Sequence, residues 1–374
     1  MNFAVVKIEG VSSLESILTI IRESPNKTSE TTSTIGEATY KVDLATNLFG
    51  IEGFNIGMTE NLQVDGNPIS CTGVSIYTER AKRPEYWLQS TGQLKANIDL
   101  INSFQADFII YELNSNVYAL GSAGINRVKA LLKDAFELQS DEMITEDFKI
   151  SEDILYWIFK RFIDTPAESL LNDEQLHVTS LESYVGKTRD KVNAMRGEGD
   201  GISVILGTLA FLFNNEELKS IRPTIQYGNE KLLIEIGLTG TFKLWGNSYR
   251  GREYRQQEGK RKELMLALYV NLVIIPLLVR SYHENLKNET WSKHLKIDFI
   301  KRLGERITRE VASVLDRIEK VPENPPVDFG ELKHTQSELA LDDVRELIDD
   351  EEILPIDDES EESDKNLLDD ADKR

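Results

Sequence analysis

The chain is poor in the residues that do covalent and metal chemistry. It has one cysteine, Cys71, in 374 residues. No intramolecular disulfide can form, which fits a reducing compartment and a cytoplasmic location. The four histidines, His177, His283, His294 and His334, stand far apart. With no H-x-x-x-H or C-x-x-C spacing, no zinc site, other metal or cofactor is expected. The P-loop pattern G-x-x-x-x-G-K-[ST], the dinucleotide pattern G-x-G-x-x-G and the nucleophile elbow G-x-S-x-G are all missing. The opening MNFAVVKIEG lacks a basic flank before a long apolar region, so no signal peptide is expected. The apolar run Leu264–Val279 has sixteen residues and contains Asn271 and Pro276. That is short of the roughly 20 needed to span a bilayer, so it reads as a core helix, without membrane contact.

Positive charge is scarce too: 43 Lys/Arg against 64 Asp/Glu, a formal net charge of −21. The deficit is not spread evenly. From Asp328 to Arg374 there are nineteen acids and five bases, a net −14, and the other 327 residues share −7. Such a tail repels itself and has too little apolar content to offset ordering entropy. Residues 321–374 are therefore expected to be a disordered acidic tail. Its small apolar clusters, Leu339 to Ile348 and Ile353 to Ile356, are candidate docking motifs.

The rest reads as α+β. Residues 1–145 are expected to form a mixed α/β domain. Phe3–Ile8 is a strand, and Ser12-Ser13 caps a helix bearing Leu14, Ile17, Leu18 and Ile21. Pro25 to Thr34 is rich in Ser and Thr and reads as a surface loop. Short strands follow between Tyr40 and Asp65, then another over Thr72–Thr78. Phe108–Tyr111 and Val117–Leu120 flank Asn114-Ser115-Asn116, a hairpin. Gly121-Ser122-Ala123-Gly124 then leads into a helix with Ile125, Val128, Leu131, Leu132, Ala135 and Phe136. Backbone amides there could meet an anion, but with no phosphate-binding pattern the loop reads as a strand-to-helix turn needing positive φ.

Residues 146–320 are expected to form a second lobe. Ser151 caps a helix running through Ile163, and Leu176–Thr179 is a short strand. Gly197–Gly201 is a loop opening the apolar helix Ile202–Phe213. Ile221–Tyr227, Leu232–Leu238 and Thr241–Trp245 form a three-stranded antiparallel meander. Long hydrophobic helices, about 260–286 and 291–319, flank it.

One segment stands against the acidic background. From Arg250 to Lys262 there are six bases (Arg250, Arg252, Arg255, Lys260, Arg261, Lys262) and two acids, with Tyr249 and Tyr254 interleaved. Arginine binds phosphate bidentately and tyrosine stacks on bases, so this is the candidate nucleic-acid contact. Its plainer reading is a solvated loop with ordinary ion pairs. Arg80, Lys82 and Arg83, beside Tyr86 and Trp87, form a smaller cluster whose plainer reading is a surface turn with Trp87 packed inward. Acid–lysine spacings at Glu146 to Lys149 and Glu331 to Lys333, and Arg280 with His283, are weaker candidates for nuclease chemistry.

The order of these features resembles a known family. It consists of the N-terminal strand and capped helix, Pro84-Glu85-Tyr86-Trp87, Ala106-Asp107-Phe108-Ile109-Ile110, Val117-Tyr118-Ala119-Leu120-Gly121, Arg127 and Phe136-Glu137-Leu138. Over about residues 1–140 this is similar to the "sporadically distributed" bacterial proteins found near restriction and phage-defence genes. The resemblance implies a bacterial intracellular protein acting against foreign DNA, and it carries no catalytic residues. The combined expectation is an accessory or nucleic-acid-binding component of a defence complex, more adaptor than enzyme. It would contact DNA or RNA through the basic-aromatic patch, with the acidic tail modulating that contact. A protein partner of the complex and self-association are both open. The rival readings are a metal-dependent nuclease effector and a protein-binding scaffold or membrane-docked effector.

Overall fold

A computed structural model describes residues 1–319 except 10, 12, 140–141, 146–149, 167, 172–174, 188–193, 200–205 and 239–240. The expected tail, the acid–lysine spacings at 146–149 and 331–333, and the start of the helix expected from Ile202 lie outside those residues. Met1–Asp316 form one compact unit. Of the second unit, Arg317–Arg374, only the end of a helix is described.

The chain is α+β, built on a large antiparallel sheet. In order, the first elements are β1 (Asn2–Ile8), α1 (Leu14–Glu23), β2 (Asn26–Ile35), β3 (Ala38–Phe49), β4 (Glu60–Val64) and β5 (Asn67–Ala81). Next come α2 (Asn97–Leu100), β6 (Ile101–Leu113), β7 (Asn116–Gly121), α3 (Ile125–Phe136), β8 (Met143–Thr145), α4 (Glu152–Asp164), β9 (Leu176–Lys187) and β10 (Ala194–Glu198). The remainder is α5 (Leu206–Phe213), β11 (Glu217–Tyr227), β12 (Glu230–Gly237), β13 (Phe242–Leu244), α6 (Gly259–Tyr269), α7 (Ile275–Lys287) and α8 (Lys293–Glu319). The sheet order is β10-β9-β11-β12-β13-β1-β7-β6-β5-β3-β2, with β4 on β5 and β8 on β1. β1 pairs with β13 through Asn2 and Phe3 and with β7 through Ala4 to Ile8. It is the seam between strands from the two halves of the sequence.

The middle of the sheet is covered on both faces, and the alternation along each strand shows how. Ala4, Val6 and Ile8, Ala106, Phe108 and Ile110, and Val74 and Ile76 pack with α1 and α3. Their neighbours Phe3 and Val5, Ile109 and Tyr111, and Cys71 point the other way, into the larger core with α4 and α6–α7. Burial on both sides explains why 108–111 and 117–120 read as continuous apolar runs. The hairpin between them turns on Asn114 and Ser115, both at positive φ (51° and 61°), as a two-residue turn matched to strand twist requires.

Several expectations need correction. Pro25 to Thr34 is not a loop: β2 pairs with β3 over ten residues, Asn26 to Ile35. Its threonines suit an extended edge strand, and its polarity reflects exposure rather than irregular backbone. Neither Gly121 nor Gly124 has positive φ among the described residues. Gly121 is needed for space, since a Cβ there would lie 2.6 Å from Phe108 and 2.7 Å from Val128. The strand expected at Leu176–Thr179 continues to Lys187, and Gly197 lies inside β10, not in a loop.

The helix expected at 260–286 is α6 and α7 joined by a π-helical turn, Val270–Ile274. Gly259–Lys287 is long and apolar enough to cross a membrane, yet 72% of its most apolar stretch is buried inside the protein. Asn271 sits in the π turn and its amide donates to the Tyr111 hydroxyl at 2.9 Å, which gives that buried polar group a partner.

Candidate nucleic-acid interface

The segment from Tyr249 to Lys262 is organised around a carboxylate from outside it. Glu230, at the start of β12, is 8% exposed. It accepts hydrogen bonds from the Tyr249 hydroxyl, from the backbone N–H of Arg252 at 3.0 Å and from that of Glu253 at 3.4 Å. The Tyr249 hydroxyl oxygen in turn accepts from the N–H of Tyr254 at 3.1 Å. Reciprocal backbone bonds tie Arg250 to Lys231, at 2.9 and 2.8 Å. The fit excludes a side chain at Gly251, where a Cβ would stand 2.0 Å from Glu230 Oε2 and 2.3 Å from Tyr249 Oη. The loop's amides are therefore closed on a buried carboxyl group of the protein's own.

The two tyrosines are part of this anchor, and that corrects the expectation that they stack on bases. Tyr249 is 6% exposed and Tyr254 1%. The Tyr254 ring lies 6.2 Å from that of Tyr249 and 5.6 Å from that of Tyr269, inside the core. Burial pushes the hydroxyls of all three well above the ordinary tyrosine range. They are neutral structural groups.

The six bases divide in two. Lys260 pairs with Asp107 at 2.8 Å. Arg261 pairs with Glu60 at 2.9 Å, donates to the Gly53 carbonyl and lies over the Phe54 ring at 4.5 Å. Lys262 lies over the Tyr249 ring at 5.6 Å. These three serve the fold. Arg250, Arg252 and Arg255 are exposed, and none forms an ion pair with a carboxylate among the described residues. Arg250 donates only to carbonyls, of Asn247 at 3.2 Å and Tyr249 at 3.1 Å.

The smaller cluster does not join them. Arg80 binds Asp134 of α3 through Nε and Nη2, at 3.1 and 2.9 Å, and Thr78 shares the same carboxylate. Arg80 thus lies on the α1/α3 face, in step with Val74 and Ile76. Lys260 reaches Asp107, which points with Ile109 to the α6 face. Lys82 is half-buried and Arg83 exposed. Trp87 is packed inward, 1% exposed, and donates to the Lys82 carbonyl at 2.6 Å.

No group of three or more His, Cys, Asp or Glu able to hold a metal exists among the described residues. Cys71 is buried on β5 and its thiol is pushed up to about 12, chiefly by burial and then by Glu60, so it is no nucleophile. His283 follows Tyr282 on α7, and their rings are 5.5 Å apart. Tyr282 donates to Asp153 at 2.7 Å, as does Trp291, which makes that end of α7 a structural knot between helices.

Sequence reasoning missed Glu230, Glu60 and Asp107, the acids that decide which bases are free. Each looks like an ordinary strand-end or strand carboxylate. Only the sheet register brings it to the basic segment. No protein-family model and no curated protein matches the chain.

Proposed function

We propose that the protein is a polyanion-binding accessory component of a bacterial anti-phage defence complex, and that it contacts DNA or RNA through Arg250, Arg252 and Arg255. The observation that carries this reading is three exposed arginines within six residues, unpaired with any described carboxylate, on a loop locked by Glu230. A fixed backbone lets each guanidinium meet phosphate without first ordering the loop. Lys260, Arg261 and Arg80 are assigned to the fold and leave the interface. Electrostatic contact of this kind is sequence-tolerant and strongly salt-dependent. The defence setting rests on the resemblance of residues 1–140. The acidic segment Asp328 to Arg374, at −14, is the modulator: it competes with nucleic acid for the same arginines.

The test is binding of labelled duplex DNA and single-stranded RNA at 50 and 200 mM salt. Wild type is compared with Arg250→Gln/Arg252→Gln/Arg255→Gln and with a chain ending at residue 327. The triple variant is expected to bind more weakly on both ligands, with a log–log salt slope shallower by up to about 3. The truncated chain is expected to bind more tightly. Equal binding by wild type and triple variant overturns the interface, and unchanged affinity on truncation overturns the tail's role alone.

A further inference from the structure

The sheet forks beyond the pair Thr46 and Thr78. From Ala38 to Ala45, β3 pairs only with β2, and from Glu79 to Ala81, β5 pairs only with β6. The parted strands leave backbone groups without a ladder, and Glu79 supplies part of what is missing. It accepts from the Ala45 N–H at 2.9 Å and from the Tyr77 hydroxyl at 2.8 Å. The last turn of α3 faces the fork, and a cavity of about 450 Å³ lies between them. That volume is in the range of small-ligand sites.

The charges around the cavity say what fits it. They balance, with Lys27, Arg80 and Lys133 against Glu79, Asp134 and Glu137. Four of the six are matched within the protein: Lys27 pairs with Glu137 at 2.8 Å and Arg80 with Asp134 at 2.9 Å. One of each sign is left, since neither Glu79 nor Lys133 forms an ion pair among the described residues. Arg80 also has donors to spare, because Nε and Nη2 carry its bonds to Asp134 and the Ala130 carbonyl and Nη1 carries none. Leu44 and Leu138 give the cavity an apolar wall. A simple anion would meet three carboxylates there, and a simple cation three bases. The complement is a molecule that is neutral overall and charged at both ends.

We propose that the fork cavity binds a zwitterionic small molecule, an α-amino acid or a dipeptide. Its ammonium meets Glu79, its carboxylate meets Lys133 and Nη1 of Arg80, and its side chain lies on Leu44 and Leu138. This is independent of the nucleic-acid reading, because the cavity and the Arg250–Arg255 loop share no residue. The test is calorimetric titration of the full chain with leucine, methionine, phenylalanine and glycylleucine. At least one is expected to bind more tightly than about 5 mM. Lys133→Ala, at an exposed position, is expected to keep the thermal unfolding midpoint and weaken that binding about tenfold or more. The N-acetyl and amide derivatives of the bound compound each lack one charge and test the same contacts without altering the protein. Each is expected to bind wild type about tenfold more weakly or worse. The amide should be indifferent to Lys133→Ala, and the N-acetyl form to Glu79→Gln, which keeps an acceptor for Ala45. Failure of all four compounds to bind overturns the proposal. Full affinity of wild type for either derivative, or of Lys133→Ala for the free compound, overturns it as well.

Discussion

Arg80 and Arg252 each sit in a short basic run beside aromatics, and the sheet treats them differently. Arg80 is on a strand, so its direction is fixed by the pleat, and it points at α3, where Asp134 receives it. Arg252 is on a loop whose backbone amides are already spent on Glu230, so its side chain is left to solvent. The same division runs inside the larger cluster. Lys260 and Arg261 open α6, which lies against the sheet, and both find strand or loop carboxylates; Arg250 to Arg255 precede the helix and find none. Local charge density is therefore a poor guide to a free cation. What counts is whether the element carrying it is packed against a surface that holds an acid.

Removing the loop's anchor is expected to have the largest effect. Glu230→Ala orphans the Tyr249 hydroxyl and two backbone N–H groups in a mostly buried site. At about 1–3 kcal/mol for each unsatisfied group, less whatever water recovers, a loss of about 3 kcal/mol is expected in urea unfolding. Glu230→Gln keeps an acceptor and should lose less. An alanine variant as stable as wild type would mean the loop does not depend on this carboxylate.

Next come the paired bases. Arg261→Ala leaves Glu60, with a side chain 17% exposed, without its partner and uncovers Phe54. A loss of about 2 kcal/mol is expected. Arg80→Ala breaks a pair in which the arginine side chain is 37% exposed, so about 1 kcal/mol or less is expected. Arg252→Ala should stay within about 0.5 kcal/mol of wild type. Polyanion affinity should fall in the opposite order, most for Arg252 and least for Arg261. Stability and affinity losses that rise together across the three would mean that paired and exposed bases serve the same role.

The fold was legible in the sequence where burial on two faces or turn chemistry left a strong mark. The Phe108–Leu120 hairpin is one such place, with Asn114-Ser115 at its turn. Another is the β11–β12–β13 meander, where Gly228 at φ 56° turns the chain. It was illegible where exposure mimicked irregularity, as in β2, whose Ser/Thr sequence satisfies a loop and an edge strand equally. For the site, sequence located the basic segment but could not divide it. The dividing residues lie far off in the chain: Glu60 is 201 positions from Arg261, and Glu230 is 22 from Arg252. Tyr249 and Tyr254 misled for a related reason, since aromatic spacing beside arginines does not distinguish a stacking platform from a core anchor.

The finest distinction concerns the one acid left among the free arginines. Glu253 accepts from the Asp65 N–H at 3.3 Å, and its carboxyl is pushed above the ordinary range, first by partial burial and further by Glu230 and Asp65 nearby. A carboxyl raised in the folded state gives stability that is fully present below its unfolded value and is lost as pH rises through the folded one. At pH 7 the ionised group therefore opposes folding slightly. Glu253→Gln imitates the protonated form and retains the acceptor for Asp65. It should be more stable than wild type at pH 7, by no more than about 0.5 kcal/mol at so exposed a position. That advantage should vanish below the usual carboxylate range, where wild type is itself protonated. Removing the charge also takes a repulsive group from beside Arg252 and Arg255, so nucleic-acid affinity should rise at pH 7. Were stability to gain without any gain in affinity, phosphate would not be approaching this side of the loop, and the interface would have to narrow toward Arg250.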